Sequence, residues 1–316
     1  MNYISVCSGI EAASVAWGPL GWKPVAFAEI EAFPSAVLTH QYPDVPNLGD
    51  ISKVDWRPYH GTVDLVVGGT PCQSFSIAGR REGLDGASGL VHEYFRLLDE
   101  VRPRWFVWEN VPGCFSSNKG TDFQSILREW DKLGYHVAWR VLDAQFFGVP
   151  QRRRRIFAVG HLGDWRRPAK VLFERESLCR ETTKGGKARK SSAAPAESRT
   201  GVYTKQRIGE YADCGKASTC SARDYKDATD LVVGTLAASG AGTQRLAARR
   251  LTPTEAEFLQ GFPRNYTDIP WRGKDHAPDG PRYKALGNSM AVPCMRWIGE
   301  RIKKVEEICP PSLRET

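Results

Sequence analysis

The chain has 316 residues, of which 41% are hydrophobic, and a net charge of +8; this length supports a substantial core in one large domain or two smaller ones. No apolar run reaches the roughly 18 residues of a membrane span, and no basic stretch followed by a long apolar region opens the chain, so membrane spanning and secretion are not expected and a cytoplasmic setting is. Eight cysteines occur without a Cys-x-x-Cys pair or a histidine at zinc spacing, which predicts reduced thiols and no metal site.

In chain order, Tyr3 to Cys7 reads as a strand, Ser8 and Gly9 as a turn, and Glu11 to Trp17 as the start of a helix. Val25 to Glu29 is a second strand, Ala32 to Gln41 a helix, and Val63 to Val67 and Trp105 to Trp108 further strands. Phe123 to Leu133 reads as a helix, followed by strands at Val137 to Val141 and Ile156 to Val159. This alternation predicts an α/β fold with a doubly wound, mostly parallel sheet, whose ligands lie beyond the carboxyl ends of the strands. Residues 182–200 carry almost no large apolar side chain and read as a loop. Leu231 to Leu236 reads as a strand, residues 238–243 as a turn, Glu255 to Leu259 as helical, and Val292 to Ile302 as a last helix.

Three strand ends carry reactive groups. Gly68 to Ser76, reading Gly-Gly-Thr-Pro-Cys-Gln-Ser-Phe-Ser, puts Cys72 on a tight polar turn. A lone free thiol is more often a small buried hydrophobe than a nucleophile. Yet Trp105 to Trp108 ends in Glu109 and Asn110, and Gln151 with Arg152, Arg153, Arg154 and Arg155 leads into the strand at Ile156. Arg153 and Arg155 alternate, so they point to one face, whereas Arg152 and Arg154 read as phosphate contacts or surface charge. In order and local sequence these segments resemble the DNA cytosine-5 methyltransferases, whose signatures include Pro-Cys-Gln, Glu-Asn-Val and Gln-x-Arg-x-Arg. The resemblance extends to the N-terminal cofactor segment, to Arg249, Leu251, Thr252 and Glu255 with Leu259 to Pro263, and to Gly287, Asn288 and Ser289.

The cofactor can also be approached from the residues. Glu29 stands 20 positions after Gly9 at a strand end, where a carboxylate accepts both hydroxyls of a ribose, so an adenosine-containing ligand is expected. Glu11 and Ser14 occupy the later positions of a Gly-x-Gly-x-x-Gly pattern, and a carboxylate there repels a pyrophosphate. S-adenosylmethionine carries no phosphate and satisfies both constraints; a nicotinamide-dependent oxidoreductase does not. The resemblance implies Asp50 and Ile51 near the adenine, Glu29 on the ribose, and Ser8, Gly9 and Ser289 near the amino-acid end. It also implies Ile10, Ile30, Pro71 and Asn288 around the same pocket. Two departures stand out: Cys7 replaces a frequent phenylalanine, and Ile30 follows Glu29 where an aromatic often stacks on adenine.

Methylating carbon 5 of cytosine requires added electron density in the ring, which a thiolate at Cys72 supplies by attacking carbon 6. Glu109 would relieve the charge developing at ring nitrogen 3, and Arg155, with Arg153, would hold the ring oxygen or Glu109 itself. The target base must leave the stack to be reached. By analogy with the family, the Ser88, Gly89, Leu90 stretch near Val91 reads as a mobile loop closing over the site.

Residues 166–250 hold 18 Lys and Arg against 9 Asp and Glu, so this segment carries the basicity of the chain and points to a polyanion, here double-stranded DNA. It also sits where the family carries its target-recognition region. The expected division is therefore a catalytic and cofactor-binding domain over 1–165, a strand-rich target-recognition domain over 166–265, and a C-terminal segment over 266–316 returning to the first. RNA cytosine methylation and a catalytically silent nucleic-acid-binding paralogue are the alternatives. A monomer is expected, and restriction partner, orphan and phage roles share this chemistry.

Overall fold

The computed structural model describes residues 1–70, 89–173, 201–207, 210–213, 230–236 and 245–308. Pro71 and Cys72, and the loop and turn expected at 182–200 and 238–243, lie outside the described residues.

A six-stranded sheet forms the body, in the order β2-β1-β3-β4-β6-β5. Its strands are β1 (Asn2–Val6), β2 (Lys23–Ala28), β3 (Leu65–Gly68), β4 (Trp105–Asn110), β5 (Tyr135–Asp143) and β6 (Arg154–Leu162). The first four run parallel, and β6 is antiparallel to both β4 and β5. Side chains alternate along each strand and build two cores. Tyr3, Leu65, Val67, Trp105, Val107 and Val159 face one side, while Ile4, Val66, Phe106, Trp108 and Ala158 face the other.

Helices cover both faces. On the first lie α1 (Ala12–Trp17), α5 (Arg166–Leu172) and the C-terminal helix Val292–Ile308, which is longer than its periodicity predicts. Trp17 donates its indole N–H to the Met295 carbonyl at 2.7 Å, fixing α1 on the returning C-terminal helix. The opposite face carries α3 (Gly89–Val101) and α4 (Thr121–Lys132). Of the loop expected at Ser88, Gly89 and Leu90, Ser88 lies outside the described residues, and Gly89 and Leu90 belong instead to helix α3, in which Val91, Tyr94 and Leu98 are buried. Its apolar residues recur three and four apart, a spacing that the closure analogy obscured. Residues 32–41 form α2 as expected.

A second sheet, ordered β10-β9-β7-β8, consists of β7 (Gly201–Arg207), β8 (Glu210–Asp213), β9 (Asp230–Leu236) and β10 (Arg245–Arg250), all antiparallel. The chain leaves β10 into α6 (Pro253–Gln260), where Thr252 and Glu255 form a reciprocal capping box and Arg249 donates to both Glu255 oxygens at 2.7 and 2.6 Å. Next come α7 (Asp279–Asn288) and the C-terminal helix, here α8. Asn288, expected against the cofactor pocket, is the last residue of α7.

Candidate active site

The carboxyl ends of β1 to β4 open on a cavity of about 850 Å³. Gly9, Glu29, Ile30, Asp50, Ile51, Asn288, Glu109, Arg153 and Arg155 all line it, so residues up to 279 positions apart in the sequence share one space. Ser8 and Ser289 line a smaller chamber of about 40 Å³ that shares Cys7, Gly9, Gly69, Glu109 and Asn288 with the large cavity. Of the described residues assigned to the cofactor, only Ile10 faces neither space: it is fully buried, and its carbonyl accepts from the Tyr266 hydroxyl at 2.9 Å.

The loop after β1 is built from left-handed residues, with φ of +48° at Cys7, +56° at Gly9 and +64° at Glu11. Gly9 donates its N–H to Glu29 Oε2 at 2.8 Å, and Glu31 donates to Oε1 at 2.7 Å. Each oxygen keeps a further lone pair for a hydroxyl. Burial raises the Glu29 carboxyl and these N–H groups lower it. Asp50 caps a short turn, accepting from the Ser52 hydroxyl at 2.8 Å and the Ser52 N–H at 3.0 Å, which together hold its carboxyl below the ordinary value. Ile30 is 69% exposed beside this rim, a large apolar surface that a planar ring would cover.

Glu109 lies within β4 rather than after it, opposite Phe157 of β6, and is 9% exposed. Arg155 Nε approaches Glu109 Oε1 at 3.1 Å. Burial raises the Glu109 carboxyl, against the opposing pull of Arg155 and then Arg153. Gly69 makes room for it, since a Cβ there would stand 3.0 Å from Glu109 Oε2. The two arginines share a face but divide their partners. Arg153, 2% exposed, donates to the carbonyls of Gly287, at 3.1 Å, and Ser289. It thus ties the Gln-x-Arg-x-Arg segment to the Gly-Asn-Ser segment. Arg152 and Arg154 are exposed.

Asn110 anchors the other side of the site. Its side-chain N–H donates to the Thr70 carbonyl at 3.1 Å, and Trp108 donates to the Thr70 hydroxyl at 3.1 Å. Strand β4 therefore holds the chain two residues before Cys72. Sequence reasoning missed one wall of the cavity, formed by Phe33, Trp271, Arg272 and Lys284. Trp271 packs edge-on against Phe33 at 5.2 Å, and Lys284 pairs with Glu31 at 2.6 Å. The Trp-Arg-Gly stretch at 271–273, a turn sequence with an aromatic anchor, was the available signal.

A model of the C-5 cytosine-specific DNA methylase family matches residues 1–304. The chain belongs to that family. Among similar proteins, the type II methyltransferase M1.ScrFI of Lactococcus lactis subsp. cremoris is 32% identical over 90% of this chain and 73% of its own length. M.DsaV of Dactylococcopsis salina is 31% identical over 96% of this chain and 86% of its own. A protein of Escherichia phage P1 named DNA N-6-adenine-methyltransferase is 36% identical over 96% of this chain, which spans only 61% of that relative. In fold, the chain is similar to the methyltransferase EhMeth of Entamoeba histolytica, with a TM-score of 0.68, 15% identity and 96% and 98% of the two chains covered. It is also similar to Dnmt2 of S. pombe, with a TM-score of 0.67, 18% identity and 98% and 99% covered.

The methylase family takes its methyl group from S-adenosylmethionine, and the residues fit that molecule. Glu29 offers two acceptors to a ribose, and the charged side chains lining the small chamber, Glu11 and Glu109, favour a cation over a phosphate there. Among the described residues no group of three or more metal-ligating side chains occurs, and no helix is long and apolar enough to cross a membrane.

Proposed function

We propose that this methylase transfers a methyl group from S-adenosylmethionine to carbon 5 of a flipped cytosine, in a specific sequence of double-stranded DNA, through a covalent adduct to Cys72. The buried Glu109–Arg155 pair, opening onto the same cavity as Glu29 and Asp50, carries the reading. Bound S-adenosylmethionine supplies an electrophilic methyl group. The chain supplies the rest. The Cys72 thiolate adds to ring carbon 6, which makes carbon 5 nucleophilic. A Glu109 carboxyl raised by burial donates toward ring nitrogen 3 as charge develops there, and Arg155 fixes its orientation and compensates the carboxylate left behind. Loss of the carbon 5 proton then permits expulsion of the thiolate. Glu109 is too deeply buried for a stacked base to reach, which is why extrusion belongs to the reading.

The division into 1–165, 166–265 and 266–316 is part of the proposal, with the four-stranded β7–β10 sheet as the frame of the target-recognition unit. Monomeric action in the cytoplasm, as a restriction partner, an orphan modifier or a phage self-protection enzyme, completes it.

The name of the phage P1 relative raises a second reading, methylation of adenine N6. An exocyclic amine is its own nucleophile and has no use for a thiol that attacks the ring, so the Pro-Cys-Gln sequence at Cys72, together with the Glu109–Arg155 pair, favours cytosine. Base-resolution mapping of 5-methylcytosine and N6-methyladenine in a methylation-free bacterial host, with a Cys72→Ser control, tests both. The expected result is 5-methylcytosine at a recurring sequence, lost in the control. Recurring N6-methyladenine with unmodified cytosine would overturn the proposal, and methylated transfer RNA with unmodified DNA would move the activity to RNA.

A further inference from the structure

The large cavity accounts for Glu29, Asp50, Glu109 and Arg155, and leaves one buried carboxylate without a task. Glu11 is 1% exposed and holds a left-handed φ of +64° that glycine would adopt without strain. Its Oε1 accepts the Ser14 N–H and the Ser14 hydroxyl, each at 3.0 Å. Its Oε2 is buried without a hydrogen bond of normal geometry, and the Ser5 hydroxyl eases the charge only in part. Among the described residues no Lys, Arg or His forms an ion pair with it. A buried, half-satisfied carboxylate costs stability, and a cation supplied from outside the chain would offset that cost.

The surroundings say which cation. Glu11 lines the chamber of about 40 Å³ together with Ser8, Gly9, Asn288 and Ser289, and this chamber lies behind the large cavity with which it shares five lining residues. That volume accommodates an ammonium group or a few waters. Oε2 lacks a donor. An α-ammonium has three N–H groups to give, whereas a sulfonium has none.

We propose that Glu11 is a cofactor-specificity residue that accepts a hydrogen bond from the α-ammonium of the cofactor's methionyl end, inside this chamber. The assignment rests on the S-adenosylmethionine reading above and deepens it: the chain recognises the amino-acid end with a charged side chain where a glycine would provide only backbone. The same carboxylate explains the rejection of dinucleotides, because a phosphate placed here would meet a negative charge instead of free N–H groups.

Calorimetric titration of the full chain tests it, with S-adenosylhomocysteine, adenosine and an S-adenosylhomocysteine analogue lacking the α-amino group as probes. Against wild type, Glu11→Gln is expected to weaken S-adenosylhomocysteine by ~10–100-fold, the worth of a charge-assisted hydrogen bond, and to leave adenosine within about twofold. On wild type alone the deaminated analogue is expected to lose a similar factor, a result that does not depend on any variant folding. In Glu11→Gln, removing the amino group is expected to cost no more than about twofold. Unchanged S-adenosylhomocysteine affinity in the variant would overturn the assignment, as would an equal loss for adenosine, which would mean that Glu11 only shapes the loop. Wild type that binds adenosine and S-adenosylhomocysteine equally well would also overturn it while sparing the nucleoside site. Failure of wild type to bind S-adenosylhomocysteine at all, with or without DNA, would overturn the cofactor reading and this one together.

Discussion

Replacing Glu11 by glutamine should make the ligand-free protein more stable, and only at neutral to alkaline pH. Burial pushes the Glu11 carboxyl up from 4.5 to about 7, and the hydrogen bonds from Ser5 and Ser14 only partly oppose that rise. The other titratable groups coupled to it are the hydroxyls of Tyr3, Tyr42 and Tyr266, all held above their ordinary values and neutral over this range. A folded-state value above the unfolded one means that folding favours the protonated carboxyl. The associated stability is therefore fully present below about pH 4.5 and is lost as pH rises through 7. Roughly 2.5 pH units at about 1.36 kcal/mol each correspond to about 3 kcal/mol, in full above pH 8 and less than about 1 kcal/mol at pH 5. Glutamine keeps an oxygen for the Ser14 N–H and carries no charge. With an unfolding entropy of about 2.1 cal/mol/K per residue, the gain corresponds to roughly 5 °C. Scanning calorimetry of both proteins at pH 5 and 8.5 checks this: a Tm difference near 5 °C at pH 8.5 that shrinks to about 1 °C at pH 5 is expected. A difference independent of pH would refute the reasoning, because it would show that Glu11 is not desolvated in the folded state.

Three further outcomes follow from named contacts. Gly160→Ala would place a Cβ 2.0 Å from Phe106 Cε1 in the middle of the sheet, so a loss of roughly 3 kcal/mol is expected in denaturant unfolding, and an unchanged midpoint would contradict the packing described. Glu306→Ala removes the carboxylate that accepts from Arg104 at 2.8 Å, Arg167 at 2.8 Å and Trp105 at 3.0 Å, leaving two guanidinium groups short of a partner at the opposite end of the sheet. A cost of about 3 kcal/mol should appear as a lower Tm, with cofactor affinity per folded molecule unaltered. Arg155→Met takes away the first influence opposing the burial-driven rise of the Glu109 carboxyl. Methyl transfer should fall by ~10²–10³-fold, and the limb of its pH profile assigned to Glu109 should move to higher pH; an unmoved limb would separate Glu109 from the chemistry.

The elements with clear periodicity were legible directly. The apolar runs at Trp105 to Trp108 and Ile156 to Val159 lie in β4 and β6, and residues 32–41 form α2. Boundaries were less so: β4 runs on through Glu109 and Asn110 because β6 pairs with them, and pairing with a strand about 50 residues away is not written in either segment alone. Gly89 and Leu90, expected in a loop, open helix α3, whose i, i+3 and i, i+4 apolar spacing runs through Val91, Tyr94, Phe95 and Leu98. The site shows the same division. The strand-end positions of Glu29 and Glu109, and the missing glycines at Glu11 and Ser14, pointed to an adenosine-bearing, phosphate-free ligand and to two carboxylates that the fold brings to one cavity.

What the sequence determined by itself, then, is everything set within about ten residues: strand and helix periods, turn chemistry, the capping box of Thr252 and Glu255, and the residue types at each strand end. Tertiary structure decided how these groups share work. Two arginines of identical type and facing separate because one meets Glu109 and the other meets carbonyls 134 and 136 residues away. The wall at Trp271, Arg272 and Lys284 exists because the returning C-terminal segment meets Phe33 and Glu31 at the start of α2. The unmet oxygen of Glu11 likewise emerges only once the neighbours that bury it are in place. Local conformation depends on short-range sterics and hydrogen bonds that a short window contains; desolvation and long-range pairing depend on which distant surfaces meet, and only the packed chain specifies that.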